Sequence, residues 1–168
     1  GYDYETVQIG EQCWFAENLR AENYRNGDSI PTGLSAQQWF QSSFGAVIVY
    51  GEGDGECDSF SPDGDACDEL WSLDEYGRLY KWYSVDDTRG LCPVNWHVPT
   101  RDEWIMLSDY LGGATVAGGQ LASTYGWAYG GNGSNSSGFT GLPGGYRPSA
   151  GGSSGAGEQG IWLSLIHI

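Results

Sequence analysis

The second half of the chain is rich in glycine and is interrupted at intervals by aromatic residues. Of the 28 glycines in the 168 residues, 17 lie between positions 112 and 160. Glycine weakens helices and strands because its backbone loses the most conformational entropy on folding. Large rings spaced through such a segment can anchor its loops to a core. We therefore expect this half to be dominated by loops with little regular structure, within a single domain.

The charge of the chain is strongly acidic. It has 7 Lys and Arg against 22 Asp and Glu, a net charge of −15. Residues 51–76, which we call the acidic insertion, hold ten of the carboxylates and no Lys or Arg. Such a surface repels phosphates, so we expect neither nucleic acid nor an anionic membrane as a partner. No run approaches the roughly 18 apolar residues of a membrane-spanning helix, so we expect no transmembrane segment.

The acidic insertion contains a candidate calcium site. Calcium prefers six to eight oxygen ligands, and carboxylates spaced around a glycine turn at Gly64 could supply several of them. The candidate ligands are Asp63, Asp65, Asp68 and Glu69. The alternative is a solvated acidic loop without a metal. We expect no other cofactor.

The four cysteines favour disulfides over a zinc site, because no C-x-x-C pair is present. Cys57 and Cys67 flank a loop of Asp, Gly and Pro that has little apolar content, and we predict a disulfide between them. Cys13 and Cys92 are the remaining pair and could form a second disulfide, the alternative being free buried thiols. Either bond would imply an oxidising compartment outside the cytoplasm.

Hydrophobic patterns predict short elements. Alternation over residues 2–10, a turn and an apolar stretch at 13–16 predict a hairpin. The apolar run 46–50 predicts a buried strand, and the period-two pattern over 76–83 predicts another. A short helix is expected after Ser35.

The clearest helix signal begins at Thr100. This residue can cap the helix while Glu103 completes the reciprocal capping box, and two glycines at 112 and 113 end it. His97 stands just before this helix, between two prolines, where we expect it to be structural rather than catalytic.

Aromatic and amide side chains in the glycine-rich half have the composition of a sugar platform. Rings can stack on sugar C–H groups while amides bind hydroxyls. The alternative for the rings is packing that anchors the loops. The ligand-binding candidates are Tyr125, Trp127, Tyr129, Asn132, Asn135 and Arg147.

The last six residues differ in composition from the glycine-rich segment before them. Residues 163–168 are largely apolar and correspond to a translation of CTG-TCT-CTT-ATA-CAC-ATC, which resembles a transposase end used in sequencing libraries. We interpret them as an artefact that replaces the true C-terminus, so that the domain spans 1–162. The alternative is a natural final strand.

Four separated phrases resemble the Fibrobacter succinogenes major paralogous domain, a family of bacterial surface and secreted proteins. They are TVQIGEQCWFAENL at 6–19, YGRLYKW at 76–82, CPVNWHVPTRDEW at 92–104 and GFTGLPGGYR at 138–147. The resemblance implies an α+β fold that is similar to C-type lectins and formylglycine-generating enzymes. Such a fold has small twisted antiparallel sheets, one or two helices and long Gly-rich loops. It supplies no catalytic residues, since fold alone does not settle function.

These observations favour a non-catalytic binding module, extracellular or displayed on a bacterial cell surface. Its partner could be a polysaccharide or another surface protein. One alternative is an enzyme, either a degenerate relative of formylglycine-generating enzymes or a hydrolase that uses paired carboxylates. Another is a structural module of a longer adhesin.

Overall fold

Short helices and strands are joined by long loops in this protein. The computed structural model describes residues 2–53, 57 and 61–165. Within these residues lie three two-stranded antiparallel sheets and five short α-helices. The fold is therefore α+β with small antiparallel sheets, as the resemblance implied, but five helices exceed the one or two that we expected.

The first sheet is the predicted hairpin. Strand β1 (Thr6–Ile9) pairs with β2 (Gln12–Phe15) so that Ile9 faces Gln12. Gly10 turns between them with a φ of 61°, a conformation that glycine adopts without steric cost. Period-two alternation then buries Ile9 and Trp14 on one face of the hairpin.

The second sheet joins two segments that were predicted as longer strands. Strand β3 (Val47–Ile48) pairs with β4 (Leu79–Tyr80), and all of residues 46–50 are buried as predicted. The strand expected over 76–83 was wrong in extent. Tyr76 ends one helix, Gly77 turns the chain with a φ of 71°, and Trp82 begins another helix.

The predicted helix caps are confirmed. Helix α1 (Ala36–Gln41) begins after Ser35, whose side chain forms a capping box with Gln38. Helix α4 (Arg101–Tyr110) begins after Thr100, which forms the predicted capping box with Glu103. Each box satisfies amides at the helix start that have no partner within the helix.

Three further helices were not predicted. Helix α2 (Glu69–Tyr76) lies in the acidic insertion and is capped by Asp68, and α3 (Trp82–Val85) is a single turn. Helix α5 (Ala114–Leu121) lies in the half expected to be loop. Its glycines are tolerated because a later loop packs on its end, where the amides of 133–135 donate to carbonyls of 119, 122 and 123.

The third sheet lies in the glycine-rich half and pairs β5 (Gly144–Tyr146) with β6 (Ser154–Ala156). Gly145 has a φ of 66°, and a Cβ there would lie 2.5 Å from the Ser154 carbonyl oxygen. Only glycine fits this close approach between strands.

The described residues form four clusters of buried hydrophobic side chains. The first joins the hairpin to α4 and α5 through Ile9, Trp14, Leu107, Leu111, Ala117 and Phe139. The second is centred on Tyr24 and Val47, the third on Tyr50 and Tyr76, and the fourth on Trp39 and Ile48.

Part of the C-terminal segment packs on the domain. Leu163 and Leu165 contact the second cluster, and the Leu165 amide donates to the Pro99 carbonyl at 2.8 Å. Residues 166–168 of the suspected artefact lie outside the described residues, as do 54–56 and 58–60 of the acidic insertion. The proposed origin of the tail stays a prediction.

The predicted disulfide between Cys57 and Cys67 is confirmed, with a Cα–Cα distance of 5.8 Å. The second pairing was wrong, because Cys13 and Cys92 are both free thiols. Cys13 is exposed on β2, whereas Cys92 is buried, so the two side chains occupy different environments. Within the described part of the chain, no helix is both long and apolar enough to cross a membrane.

Candidate functional site

The rings of the proposed sugar platform do not share one role. Tyr129 is 85% exposed and Tyr125 is 44% exposed. Trp127 is half-buried, and its indole Nε1 donates to Ser123 Oγ and to the Gly141 carbonyl, each at 3.1 Å. Trp127 therefore anchors the loop, which is the alternative role that we considered for these rings.

The two amide side chains of the same platform hold loops together. Asn132 Oδ1 accepts from the Trp127 amide at 3.0 Å. Asn135 Oδ1 accepts from the Thr140 amide at 2.8 Å, and its Nδ2 donates to Thr140 Oγ1 at 3.1 Å. Each amide is thus already used to fix the backbone in a turn.

Arg147 does not join the platform. Its side chain is buried, and it donates to the carbonyl of Glu52 at 2.8 Å and to that of Leu34 at 3.3 Å. The guanidinium also stacks on Trp39, 5.0 Å from the ring centroid. Arg147 therefore ties the third sheet to two distant loops.

Two of the candidate calcium ligands serve local structure. Asp65 Oδ1 accepts from the Cys67 amide at 2.9 Å, and Asp68 Oδ1 caps helix α2. No group of three or more His, Cys, Asp or Glu side chains in the described ranges is arranged to hold a metal ion. The structure therefore does not bring the four candidate ligands together as a metal site. They are Asp63, Asp65, Asp68 and Glu69.

A small acidic cluster surrounds Tyr125. Burial raises the pKa of Glu75 above its usual range, and the nearby Asp63 charge raises it further. A hydrogen bond with Tyr125 acts in the opposite direction. Burial likewise raises the pKa of Tyr125, with Glu75 contributing. Two carboxyl groups and a phenol therefore lie close together beside the glycine-rich half.

A concave site in the described residues lies elsewhere. It is a cavity of about 570 Å³ between the hairpin, the loop before α4, and the segments around Phe139 and Trp162. This volume is within the usual range of small-molecule sites. We call it the aromatic cavity, and the lining residues used below are Trp14, Phe15, Glu17, Asn18, Arg78, Trp96, His97, Glu103, Trp104, Arg147 and Trp162.

Aromatic rings form much of the cavity wall. Phe15 and Trp96 pack with their ring centroids 4.1 Å apart. The ring centroid of Trp104 lies 4.8 Å from that of Trp14 and 6.5 Å from that of Trp162. These mutual contacts fix the rings, so that the wall is formed without a ligand.

Three acceptor side chains of the cavity are already bonded within the protein. Glu17 accepts from the Tyr2 hydroxyl at 2.7 Å, and Asn18 Oδ1 accepts from Trp162 Nε1 at 3.2 Å. Glu103 lies 2.8 Å from His97 Nε2 and also completes the cap of α4. These oxygens therefore form hydrogen bonds within the protein that hold the segments of the site together.

Three buried donor atoms on lining residues have no acceptor. The indole Nε1 atoms of Trp14 and Trp104 and the Nε of Arg78 are buried without a hydrogen-bond partner in the part of the chain that the structure describes. A buried donor without an acceptor costs about 1–3 kcal/mol. Such groups are rare in native proteins, and these three atoms are covered by the protein rather than open to the cavity.

The sequence alone did not identify this cavity, although the phrases that carry the family resemblance pointed to its residues. The four phrases that carry the family resemblance are far apart in the chain, yet each contributes to the lining. Phe15 comes from the first phrase, Arg78 from the second, Trp96 from the third and Phe139 from the fourth.

The fold and site define a small α+β domain built around an aromatic cavity. The chain belongs to the Fibrobacter succinogenes major domain family, whose model matches residues 7–165. No curated protein and no solved structure matches the chain.

Proposed function

We propose that this chain is a non-catalytic binding module, secreted or displayed on a bacterial surface, that takes a saccharide in the aromatic cavity. The observation that carries the proposal is the wall of aromatic rings, fixed by their mutual contacts, around a cavity of about 570 Å³. Sugar C–H groups pack on aromatic faces, and a few polar groups in such a site fix the orientation of the ligand.

The proposed binding site differs from the one expected from the sequence, but the proposed class of function, a binding module, is the same. The platform amides at Asn132 and Asn135 are used internally, whereas the cavity presents a wall of aromatic rings. A C-type-lectin-like arrangement and an extracellular location are parts of this proposal. The Cys57–Cys67 disulfide supports the location, because such bonds persist in oxidising compartments.

Binding to a glycan array, followed by titration calorimetry with the best ligand, tests the proposal. We expect Trp96→Ala to weaken binding at least about tenfold, because stacked rings contribute strongly at binding sites. Tyr129→Ala is the matched control, since this ring is 85% exposed and does not line the cavity. Thermal unfolding of both variants separates lost contact from lost fold.

The outcomes separate the two locations and the three classes of function. Binding lost in Tyr129→Ala but kept in Trp96→Ala would place the ligand on the glycine-rich loops instead. No binding to any glycan would argue against a saccharide ligand. It would leave a surface-protein partner or a structural module of an adhesin as the remaining non-enzymatic functions.

One observation favours an enzymatic alternative. Glu75, whose pKa is raised by burial, lies near Asp63 and Tyr125, and carboxyl groups in different environments are the arrangement that carboxylate-dependent hydrolases use. Turnover of a glycoside that Glu75→Gln abolishes would support a hydrolase. A formylglycine-generating activity would instead be detected as oxidation of a substrate cysteine.

A further inference from the structure

Asn95 differs from the other asparagines of the chain. All six lie in the described residues, and five of them form side-chain hydrogen bonds within the protein, namely Asn18, Asn23, Asn26, Asn132 and Asn135. The exposed side chain of Asn95 forms no hydrogen bond with the part of the chain that the structure describes. Asn95 also lines the aromatic cavity, so its amide can donate to a ligand there and accept from it.

A tight turn places Asn95 at the cavity. The Trp96 amide donates to the Pro93 carbonyl at 3.0 Å, and Asn95 has a φ of 69°. Because the chain turns here, Asn95, Trp96 and His97 all line the cavity, whereas consecutive residues of a strand would face opposite sides. Glycine occupies most of the left-handed positions of this chain. The asparagine therefore supplies an amide that the turn itself does not require.

This turn is held in place by hydrogen bonds on both sides. The Arg25 guanidinium donates from Nε to the Cys92 carbonyl at 2.9 Å and from Nη2 to the Trp96 carbonyl at 3.1 Å. The next residue, His97, lies 2.8 Å from Glu103 through its Nε2 atom. The turn is thus fixed before a ligand binds, which lowers the entropic cost of binding to it.

The arginines of the lining do not favour an anionic ligand. Arg78 forms an ion pair with Glu22, and Arg147 donates to the carbonyls of Glu52 and Leu34. The chain as a whole carries a net charge of −15, which repels anions. These charges favour a neutral ligand in the aromatic cavity.

We propose that Asn95 is a specificity-determining residue of the aromatic cavity and that the saccharide bound there is neutral. Hydroxyl groups of the sugar pair with the Asn95 amide while the sugar ring packs beside Trp96. The inference rests on the proposed function and narrows its ligand class. A hydroxyl group both donates and accepts, as the amide does, so one amide can bond to two neighbouring hydroxyls. An ionised carboxylate could use only the N–H donors.

Hexasaccharides that differ in charge test the ligand class. The neutral probes are β-1,4-linked hexasaccharides of glucose, of mannose and of xylose, and the anionic comparison is the β-1,4-linked hexasaccharide of glucuronic acid. Titration calorimetry at low salt should show binding of at least one neutral probe, at least about tenfold tighter than binding of the anionic probe. Raising the salt should narrow this difference, because screening weakens the repulsion of the anion.

Substitutions then assign the contact to Asn95. Asn95→Gly removes the amide and tolerates the left-handed backbone, and it should weaken binding of the neutral probe by about three- to tenfold. Asn95→Asp keeps the shape but cannot donate, so it should weaken binding as well. Val94→Gly is the matched control and should keep full affinity, because Val94 lies in the same turn, is 67% exposed and is not part of the lining. Thermal unfolding of each variant checks that the fold is kept.

The failures are distinguishable. Unchanged affinity in both Asn95 variants, with binding still lost in Trp96→Ala, would overturn the role of Asn95 and leave the proposed function intact. Equal or tighter binding of the glucuronic acid probe would overturn the neutral ligand class and would also leave the proposed function intact. Absence of binding to every neutral probe would overturn the inference, and absence of binding to every saccharide of the glycan array would overturn both proposals.

Discussion

The two free cysteines are expected to differ in reactivity because their environments differ. Burial raises the pKa of the Cys92 thiol to about 11, with the Arg25 charge acting weakly in the opposite direction. Cys92 therefore stays protonated at neutral pH, and it is also shielded from reagents. Cys13 is exposed on β2, where a reagent can reach it.

We expect iodoacetamide at pH 8 to label Cys13 in the native protein and to leave Cys92 unmodified. Unfolding in guanidinium without a reductant should expose Cys92 to labelling, while the Cys57–Cys67 disulfide stays protected. Intact-mass spectrometry counts the modified thiols in each state. Native and unfolded protein that both resist labelling would instead show a second disulfide between Cys13 and Cys92.

Helix α4 is the element that the local sequence specifies best. Burial alone would raise the pKa of Glu103, but hydrogen bonds from the Thr100 amide, from His97 and from the Thr100 hydroxyl bring it below its usual range. A carboxyl group whose pKa is lowered on folding stabilises the protein above its unfolded pKa. This stabilisation disappears as the pH falls through the folded value.

We expect Glu103→Gln to lower the free energy of unfolding by less than about 1 kcal/mol at pH 7, because glutamine can still complete the cap and the group is partly exposed. The difference from the unsubstituted protein should shrink as the pH falls below about 4.5, where the unfolded carboxyl becomes protonated. Urea unfolding at a series of pH values measures this difference. Asp102→Asn, in the same first turn but outside the capping box, is the matched control.

A constant difference between pH 7 and pH 3 for Glu103→Gln would contradict this assignment. The charge would then contribute nothing to stability, and the side chain would act only through its shape.

The whole molecule must fold against its own charge. A net charge of −15 repels itself in the compact state, and the acidic insertion contributes ten carboxylates with no base among them. Among the described residues, the ion pairs lie outside this insertion apart from one long contact, 3.9 Å, between Arg20 and Asp74. Mobile counter-ions are left to screen most of the repulsion.

We expect the melting temperature to rise by several degrees when sodium chloride is raised from about 0.01 M to about 0.5 M, as the Debye length falls below about 10 Å. Differential scanning calorimetry measures the shift. Calcium chloride at matched ionic strength is the control. A larger rise with calcium would revive a calcium site, whereas no rise with either salt would show that repulsion does not limit stability.

Much of the local structure could be predicted because neighbouring residues specify it. The hairpin follows from period-two alternation around Gly10, and the caps of α1 and α4 follow from Ser35 and Thr100. The disulfide between Cys57 and Cys67 follows from their short sequence separation of 10 and from the low apolar content of the loop between them. In each case the interacting groups lie within about 15 positions of one another.

The candidate site could not be predicted in the same way, because it is formed by contacts between distant segments. Composition placed the ligand among Tyr125, Trp127 and Tyr129, but it could not show that the indole of Trp127 was already bonded to Gly141. Helix α5 was missed for the same reason, since its support comes from the loop at 133–135.

The sequence by itself determined the family, the acidic charge, the turns and the capped helices, because these depend on residue identity and short spacing. The tertiary structure alone decided which polar groups are satisfied. Phe15, Arg78 and Trp96 come from three separate phrases and line one cavity. Burial and hydrogen bonding belong to the packed arrangement, and no residue carries them before the chain has folded.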